Sequence, residues 1–593
     1  MSDPLAKPML QEISPETVKS LSDSQLQQLA EDIRAFLIDS ISRTGGHIGA
    51  NLATIELSLA LHKVFDSPAD RLVFDTGHQG YTHKIITGRL AKFPTLNRFG
   101  GMSRFLARSE SEHDAIDASH AGTAISLATG MAFAYARDRQ PRTVVAVVGD
   151  GSLVEGMSFE ALNYAATSGL GLVILINDNE MAIAPSVGGM RNLTAGSSWE
   201  LRSRGFFEGL GFTYIPVADG HSIHDLVAAL DSAKSLGRPV VVHAKTRKGK
   251  GLELADSHPY KMHFSLPFDP VTGTGAAPTV VGKTFGLEAA QTLRQILETR
   301  DDVFVITPAT PYASYLQELA TGFPDRVIDV GMAEQQAIGM ACGMALRGKY
   351  PIVCIQTTFL QRAFDQLIHD VAYMNLPVTL LGVRSGFAGY DSPTHHGVYD
   401  IPYLRSIPNL AVVYPYSPED LQATLAARMK QPEGPMVILH PYEVIPAQDE
   451  IAAGRAGDLL TLAQGDDGAI LFLSNGLAAA RALRDRLRTE LQASFGLHCL
   501  RGIKPAPLDD LVRITQSAAR IVTIEECSIN GGIGSLVAEV LADHKIKSDL
   551  LRLAVPDIFV PAGDKAECRQ AAGLDDATLL RRVAAFWPEL AQP

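Results

Sequence analysis

The segment TVVAVVGDGSLVEGMSFEALNYAATSGLGLVILINDNE, residues 143–180, decides the fold. TVVAVV and GLVILI are unbroken aliphatic, largely β-branched runs, the pattern of strands buried on both faces of a parallel sheet. Between them, MSFEALNYAATSG reads as a helix. Strand, helix and strand make a βαβ unit, and parallel strands present their C-terminal ends on one edge, where ligands bind in open α/β folds. The first strand ends in Gly149-Asp150-Gly151 and the second in Asn177-Asp178-Asn179. Asp150 and Asn179, 29 positions apart, are therefore predicted to face one site.

These residue types suit a magnesium-bound diphosphate. A diphosphate needs partial neutralisation, and Mg²⁺ prefers near-octahedral oxygen ligands. A carboxylate, a side-chain amide and a backbone carbonyl meet that need, and we assign them to Asp150, Asn179 and Met181. Gly149 and Gly151 let the backbone approach a phosphate closely, with Ser152 beside them. A Gly-Asp-Gly alone is more often a tight turn. It is the paired arrangement that carries the reading. Competing phosphate loops, G-x-x-x-x-G-K-[ST] and G-x-G-x-x-G, are absent from the sequence.

Outward from this unit the same alternation continues in DVFVITPA (302–309), YPIVCIQTT (350–358), LPVTLLGVRSG (376–386), NLAVVYP (409–415), GAILFLSNG (468–476) and ARIVTIEEC (519–527). The expected fold class is α/β, with mainly parallel sheets. Two connector-like stretches, 265–283 and 445–457, divide the chain into 1–265, 284–445 and 455–593. The length, 593 residues, agrees with about three or four domains.

Composition excludes other classes. With 46% hydrophobic and 20% charged residues the chain is not of disordered type. A net charge of −13 argues against nucleic acid as a partner. The five cysteines are scattered and form no C-x-x-C, so neither a disulfide framework nor a zinc site is expected. The first residues do not read as a signal peptide, and no long apolar run suggests a membrane span. A cytoplasmic enzyme is expected.

Longer motifs carry a resemblance. In order they are SRTGGHIGANLATIELSLALH (42–62), FDTGHQGYTHKIITGR (74–89), HAGTAISLATGMA (120–132), the 149–190 region, TRKGKGLELA (246–255), HFSLPFDP (263–270), AEQQAIGMACGMAL (333–346), TTFLQRAFDQLIHDVAYMNLPV (357–378), DSPTHHGVYDIPYLRSIPNL (391–410) and TIEECSINGGIGS (523–535). The chain resembles the 1-deoxy-D-xylulose-5-phosphate synthase family, within the transketolase-like thiamine-diphosphate enzymes, from about residue 10 to about 585. The Gly-Asp-Gly to Asn-Asp-Asn spacing is similar to that superfamily's cofactor signature.

The resemblance implies thiamine diphosphate and Mg²⁺ as cofactors and a homodimer. It implies a diphosphate-binding, a pyrimidine-binding and a C-terminal transketolase-like domain for the three segments, with the cofactor between the first two. The implied reaction decarboxylates pyruvate, the 2-oxo acid donor, and adds the two-carbon unit to D-glyceraldehyde 3-phosphate, the aldehyde acceptor. Glu334, at the start of a Gly/Ala-rich helix, supplies the carboxylate that shares a proton with the aminopyrimidine ring. His47, His78, His120 and His263 are placed near the diphosphate and the reacting carbons, Lys248 at the phosphate end and Phe359 against the aminopyrimidine. Arg362, Arg384, Asp391 and His395 are placed along the substrate channel. His47, His78, His120 and His395 are the candidates for proton transfer, and Asp391 is implied to orient His395 or an acceptor hydroxyl.

Departures from the family cluster on the acceptor side. An arginine-bearing motif like R-Y-P-R-G is replaced by Leu439-His440-Pro441-Tyr442-Glu443. A family tyrosine just ahead of the Thr358–Arg362 stretch is Gln356, and an acidic residue before Arg384 is Val383. Each lost arginine–phosphate contact weakens binding by about 1.5–3 kcal/mol. A different or unphosphorylated acceptor is therefore expected, contacted by Gln356, Arg384 and Tyr442. Two alternatives stay open at this point: ketol transfer without decarboxylation, as in transketolase, and a non-catalytic cofactor-binding relative.

Overall fold

The computed structural model describes residues 8–275, 284–442 and 457–591. It groups into two compact units, Met1–Thr279 with Gly331–Ala333, and Val280–Val330 with Glu334–Pro593. Part of each connector, residues 276–283 and 443–456, lies outside the described residues, and with it Glu443.

The first unit is built on a parallel sheet of β1 (Arg71–Phe74), β2 (Val144–Gly149), β3 (Leu172–Asp178), β4 (Thr213–Val217) and β5 (Val240–Lys245), in the order β1-β2-β3-β5-β4. Every residue of β3 is buried, as its unbroken aliphatic run requires. Helices Ala124–Arg137, Gly156–Ala165 and Trp199–Leu210 cover one face through Ala128, Leu162 and Phe207. Helices Ile55–Val64 and Ile223–Leu236 cover the other through Leu57, Leu61 and Leu230.

The second unit holds two sheets. One contains β6 (Val303–Thr307), β7 (Val327–Asp329), β8 (Tyr350–Gln356), β9 (Thr379–Val383), β10 (Ala411–Val413) and β11 (Met436–His440). The other contains β12 (Leu459–Ala463), β13 (Gly468–Phe472), β14 (Phe495–Leu500), β16 (Arg520–Ser528) and β17 (Asp549–Val555). β15 (Gly502–Lys504) leaves the later segment and pairs antiparallel with β10, giving the order β15-β10-β11-β9-β8-β6-β7. One apolar core runs from Val353 and Val437 of the first sheet to Leu471 and Ile521 of the second. A lent strand and a shared core make these segments one unit.

The α/β architecture with mainly parallel strands follows the sequence expectation, and each quoted aliphatic run is a strand. The exceptions to parallel pairing are β10–β15 and β12–β14. Among the described residues no helix is long and apolar enough to cross a membrane.

In the first unit one buried carboxylate gathers three elements. Glu56, fully buried on helix Ile55–Val64, accepts from Arg34 of helix Asp23–Thr44, from Lys250 at 2.9 Å and from His221 at 2.9 Å. Burial pushes its carboxyl up, but His221, Arg34 and Lys250 outweigh burial and bring it down to about 2. A depressed carboxylate stabilises the fold above its unfolded value, and the contribution is lost as pH falls towards 2. The shift corresponds to about 3 kcal/mol. Glu56→Gln is expected to lower the urea unfolding free energy by about that much at pH 7, and by half or less at pH 3. An equal loss at both pH values would contradict this assignment.

Candidate active site

In the first unit, β2 and β3 run in register with Gly149 opposite Asn177. Gly149 ends its strand and Asp150 opens a short turn, Asp150–Val154. Asp150 is buried, and its carboxylate accepts from the Ser186 hydroxyl at 2.7 Å and from the Asn179 N–H at 3.4 Å. Burial first, then the charge of Asp178, raise its carboxyl above the ordinary carboxylate range. A buried carboxyl whose hydrogen-bond partners are one hydroxyl and one amide is short of positive charge. Asn179 points the same way, because its side-chain oxygen Oδ1 is buried with no hydrogen-bond partner. An added Cβ on Gly151 would meet Ala182 at 2.7 Å, so that position admits only glycine. Among the described residues no group of three or more His, Cys, Asp or Glu side chains is placed to hold a metal. The Asp150 carboxylate and the unpartnered Asn179 amide oxygen, on residues joined by the 3.4 Å contact, are donors of the kind a hard cation takes.

Asp178 holds this loop. Its Oδ2 accepts from His243 Nε2 at 2.8 Å and Lys245 Nζ at 2.9 Å, and its Oδ1 from the Glu180 N–H at 3.1 Å. Lys245 also reaches Glu180 at 2.9 Å and the Thr194 carbonyl at 3.1 Å. Glu180 sits at φ +61°, a left-handed conformation uncommon outside glycine, so the turn at Asn179 is over-determined. Met181 forms an isolated bridge with Pro185, which closes the loop.

Three of the predicted histidines meet. Ring centroids lie 5.3 Å apart for His47–His78, 5.5 Å for His47–His263 and 5.1 Å for His78–His263. Lys248 lies close enough to act electrostatically on His78 and His263. Burial and then Lys248 hold His78 down to about 3 and His263 well below its ordinary value, so both rings are neutral near pH 7. Lys248 is itself pushed down to about 7 by burial, against a smaller upward pull from Asp150, and donates to the Ala182 carbonyl at 2.6 Å. His120 stands on the loop before helix Ala124–Arg137. Asp75 binds that loop through the N–H groups of Gly122 at 3.0 Å and Thr123 at 3.1 Å.

Two of these positioning residues escaped the sequence reading. Asn51 is fully buried and donates 2.7 Å bonds to the carbonyls of both His47 and His78, while its Oδ1 accepts from the Tyr81 N–H at 2.8 Å. Asp75 is the other. Both stand inside quoted motifs, and a polar residue in an otherwise buried run was the available signal.

In the second unit Gln356, Arg384, Asp391 and Tyr442 lie together at the C-terminal edge of the sheet. Gln356 of β8 and His440 of β11 both pair with Val383 of β9. The replaced positions are thus direct neighbours across three strands. Arg384 follows Val383 at φ +65°. Its Nη1 donates to Asp391 at 2.6 Å, and its guanidinium lies 4.5 Å from the Tyr442 ring centroid. Its Nε is buried without a partner, as is Gln356 Oε1. Burial works against the Arg384 charge, but Asp391 more than offsets it and fixes the guanidinium as a cation. Phe359 and His395 pack edge to face at 5.5 Å, and Thr358 ties their loops through the Thr394 carbonyl at 2.6 Å. Arg362 is half-buried on the following turn, Gln361–Ala363. Glu334 is buried at the first position of helix Glu334–Leu346, where the helix dipole favours a carboxylate.

His440 is not a substitute cation. It stacks on Phe285 at 5.9 Å, bonds the Pro441 carbonyl at 3.2 Å, and burial holds it down to about 4.

Comparison with known proteins shows the family of the chain. Residues 10–199 and 196–246 match the family model for 1-deoxy-D-xylulose-5-phosphate synthase. Residues 284–446 match the pyrimidine-binding domain of transketolase, and 457–579 its C-terminal domain. The 1-deoxy-D-xylulose-5-phosphate synthase 1 of Geobacter sulfurreducens is 39% identical, covering 96% of both chains. The chain belongs to the 1-deoxy-D-xylulose-5-phosphate synthase family. The synthase of Geobacillus thermodenitrificans is 37% identical over 97% of this chain and 98% of its own. The transketolase of Campylobacter jejuni aligns at 15% identity and a TM-score of 0.45, covering 95% of this chain and 100% of its own, a likeness too slight to argue from. Family membership concerns the whole chain, and the individual side chains still have to be tested one by one.

Asn51 offers such a test in the first unit. Asn51→Ala removes three buried hydrogen bonds and is expected to cost roughly 3 kcal/mol in urea unfolding. Asn51→Asp should cost at least as much, because a carboxylate oxygen would then face the His47 and His78 carbonyls. A fully stable Asn51→Asp protein would contradict the bonding described.

Proposed function

We propose that this chain decarboxylates a 2-oxo acid, pyruvate as in the family reaction, and joins the two-carbon unit to an aldehyde, using thiamine diphosphate and Mg²⁺. The observation that carries the cofactor reading is the unpartnered, buried Asn179 Oδ1 on the loop that carries its N–H to Asp150. Asp150, Asn179 and the Met181 carbonyl hold the metal, with Gly149, Gly151, Ser152 and Lys248 along the diphosphate. Bound thiamine diphosphate supplies the electron sink for carbon–carbon bond cleavage and formation. Glu334 holds and moves a proton at the aminopyrimidine nitrogen, and Phe359 packs on that ring. His78 and His263, neutral through burial, act as hydrogen-bonding imidazoles towards the reacting oxygens. His47, His120 and His395 donate or accept the proton at those oxygens. Arg362, Arg384, Asp391, Gln356 and Tyr442 meet the substrates. We read the acceptor as a different or unphosphorylated aldehyde, since the replaced positions are direct neighbours at the edge that also carries Arg384.

A second copy of the chain is the proposed partner. Phe133 and Leu127 on helix Ala124–Arg137, and Tyr164, Phe159 and Met157 on helix Gly156–Ala165, leave large apolar side chains exposed on two helices in contact. Such contiguous apolar surface marks an interface. Light scattering on the purified protein is expected to give twice the chain mass.

The reaction is tested by carbon dioxide release from pyruvate in the presence of thiamine diphosphate, Mg²⁺ and an aldehyde panel. Release without any ketose donor supports decarboxylation, and turnover only with a ketose donor would favour the transketolase reaction instead. Asp150→Ala and Asn179→Ala are expected to abolish Mg²⁺-dependent cofactor binding in calorimetry. Glu334→Ala is expected to bind the cofactor and lose about a thousandfold in turnover. Full activity in Glu334→Ala would remove its assigned role.

A further inference from the structure

Four features surround Arg384 at the C-terminal edge of β9, and none suits a phosphate. The guanidinium already has Asp391 at 2.6 Å on Nη1. A phosphate takes arginine by two parallel N–H donors; here Nη1 carries a carboxylate that would repel a dianion, and the buried Nε is the donor left without a partner. Tyr442 covers one face of the guanidinium at 4.5 Å. The groups aligned beside it, Gln356 and the buried His440, carry no positive charge near pH 7.

Aromatic surface takes the place of charge. Tyr312 and Tyr442 both act electrostatically on Arg384, and Tyr315 lies beside Tyr442. Tyr312 is 36% exposed and Tyr442 is 40% exposed, so solvent reaches both residues, Tyr442 with one ring face on Arg384. Phenol rings favour a flat partner, stacked or edge-on.

We propose that the acceptor is an unphosphorylated aromatic aldehyde, whose ring lies on Tyr442 and Tyr312 beside the Arg384–Asp391 pair. The inference rests on the decarboxylating reading above and names its acceptor. In the reaction the C1–C2 bond of pyruvate breaks and carbon dioxide leaves. The electron pair at C2 forms the bond to the aldehyde carbon, and the aldehyde oxygen takes up one proton. With benzaldehyde the product is 1-hydroxy-1-phenylpropan-2-one.

The test compares kcat/KM for benzaldehyde and D-glyceraldehyde 3-phosphate, on full-length protein with thiamine diphosphate, Mg²⁺ and pyruvate. Benzaldehyde is expected to be preferred by at least about tenfold. Tyr442→Ala removes the stacking ring and is expected to lower that ratio about threefold to tenfold. Tyr442→Phe keeps the ring and should hold the ratio within about threefold, which separates stacking from general damage. Carbon dioxide release with D-glyceraldehyde 3-phosphate as the better acceptor would overturn this inference alone. So would an unchanged ratio in Tyr442→Ala. No carbon dioxide from pyruvate with any aldehyde would sink the decarboxylating reading, and this inference with it.

Discussion

The charge of Asp178 has to be met inside the protein, and the first unit is organised around meeting it. The residue ends a strand that is buried along its whole length. β5 runs alongside in register and delivers His243 and Lys245 to its carboxylate. Leaving such a carboxylate unpaired would be strongly destabilising, so the pairing fixes where β3 ends relative to β5. The same interaction reaches Glu180 and the Thr194 carbonyl, and so it shapes the loop that carries Asn179 and Met181. Asp150, arriving from β2, meets a loop already set. Its unmet need for positive charge follows from a neighbour whose partners, His243 and Lys245, are already engaged.

The second unit solves a different problem. Its sheet edge carries one strongly basic side chain in an unfavourable backbone conformation, and that conformation persists because the surroundings hold it. Asp391 and Tyr442 hold it from two directions. A guanidinium gripped in this way acts as a fixed part of the wall, with little freedom to turn towards an incoming anion. The two units therefore differ in character. In the first the charged group, Asp150, is short of positive charge; in the second Arg384 already has its counter-charge in Asp391, while its Nε and Gln356 Oε1 stay without partners.

Much of this was legible beforehand because the relevant signals are local. Unbroken aliphatic runs mark two-sided burial, so β2, β3, β6, β8, β9, β10, β13 and β16 all lie where runs were quoted. Asp150 and Asn179 were found because parallel strands must end on one edge. β15 was not foreseen: three residues carry no periodicity, and their strand state depends on β10, about 90 positions earlier. Asn51 and Asp75 were missed for a related reason. Their work is to bridge loops distant in sequence, and nothing in the immediate neighbourhood of either residue announces a partner. The pairing of Arg384 with Asp391 and Tyr442 was equally invisible, since a seven-residue separation across a loop fixes no contact.

The strand lent by the later segment to the earlier sheet has an evolutionary consequence. Gly502–Lys504 covers an edge of β10 that would otherwise present unpaired backbone groups, and the core beneath is filled from both segments. Recombination that separated residues 284–442 from 457–591 would leave β10 with a raw edge and each piece with part of the shared core exposed. The two segments thus depend on each other to complete one sheet and one core.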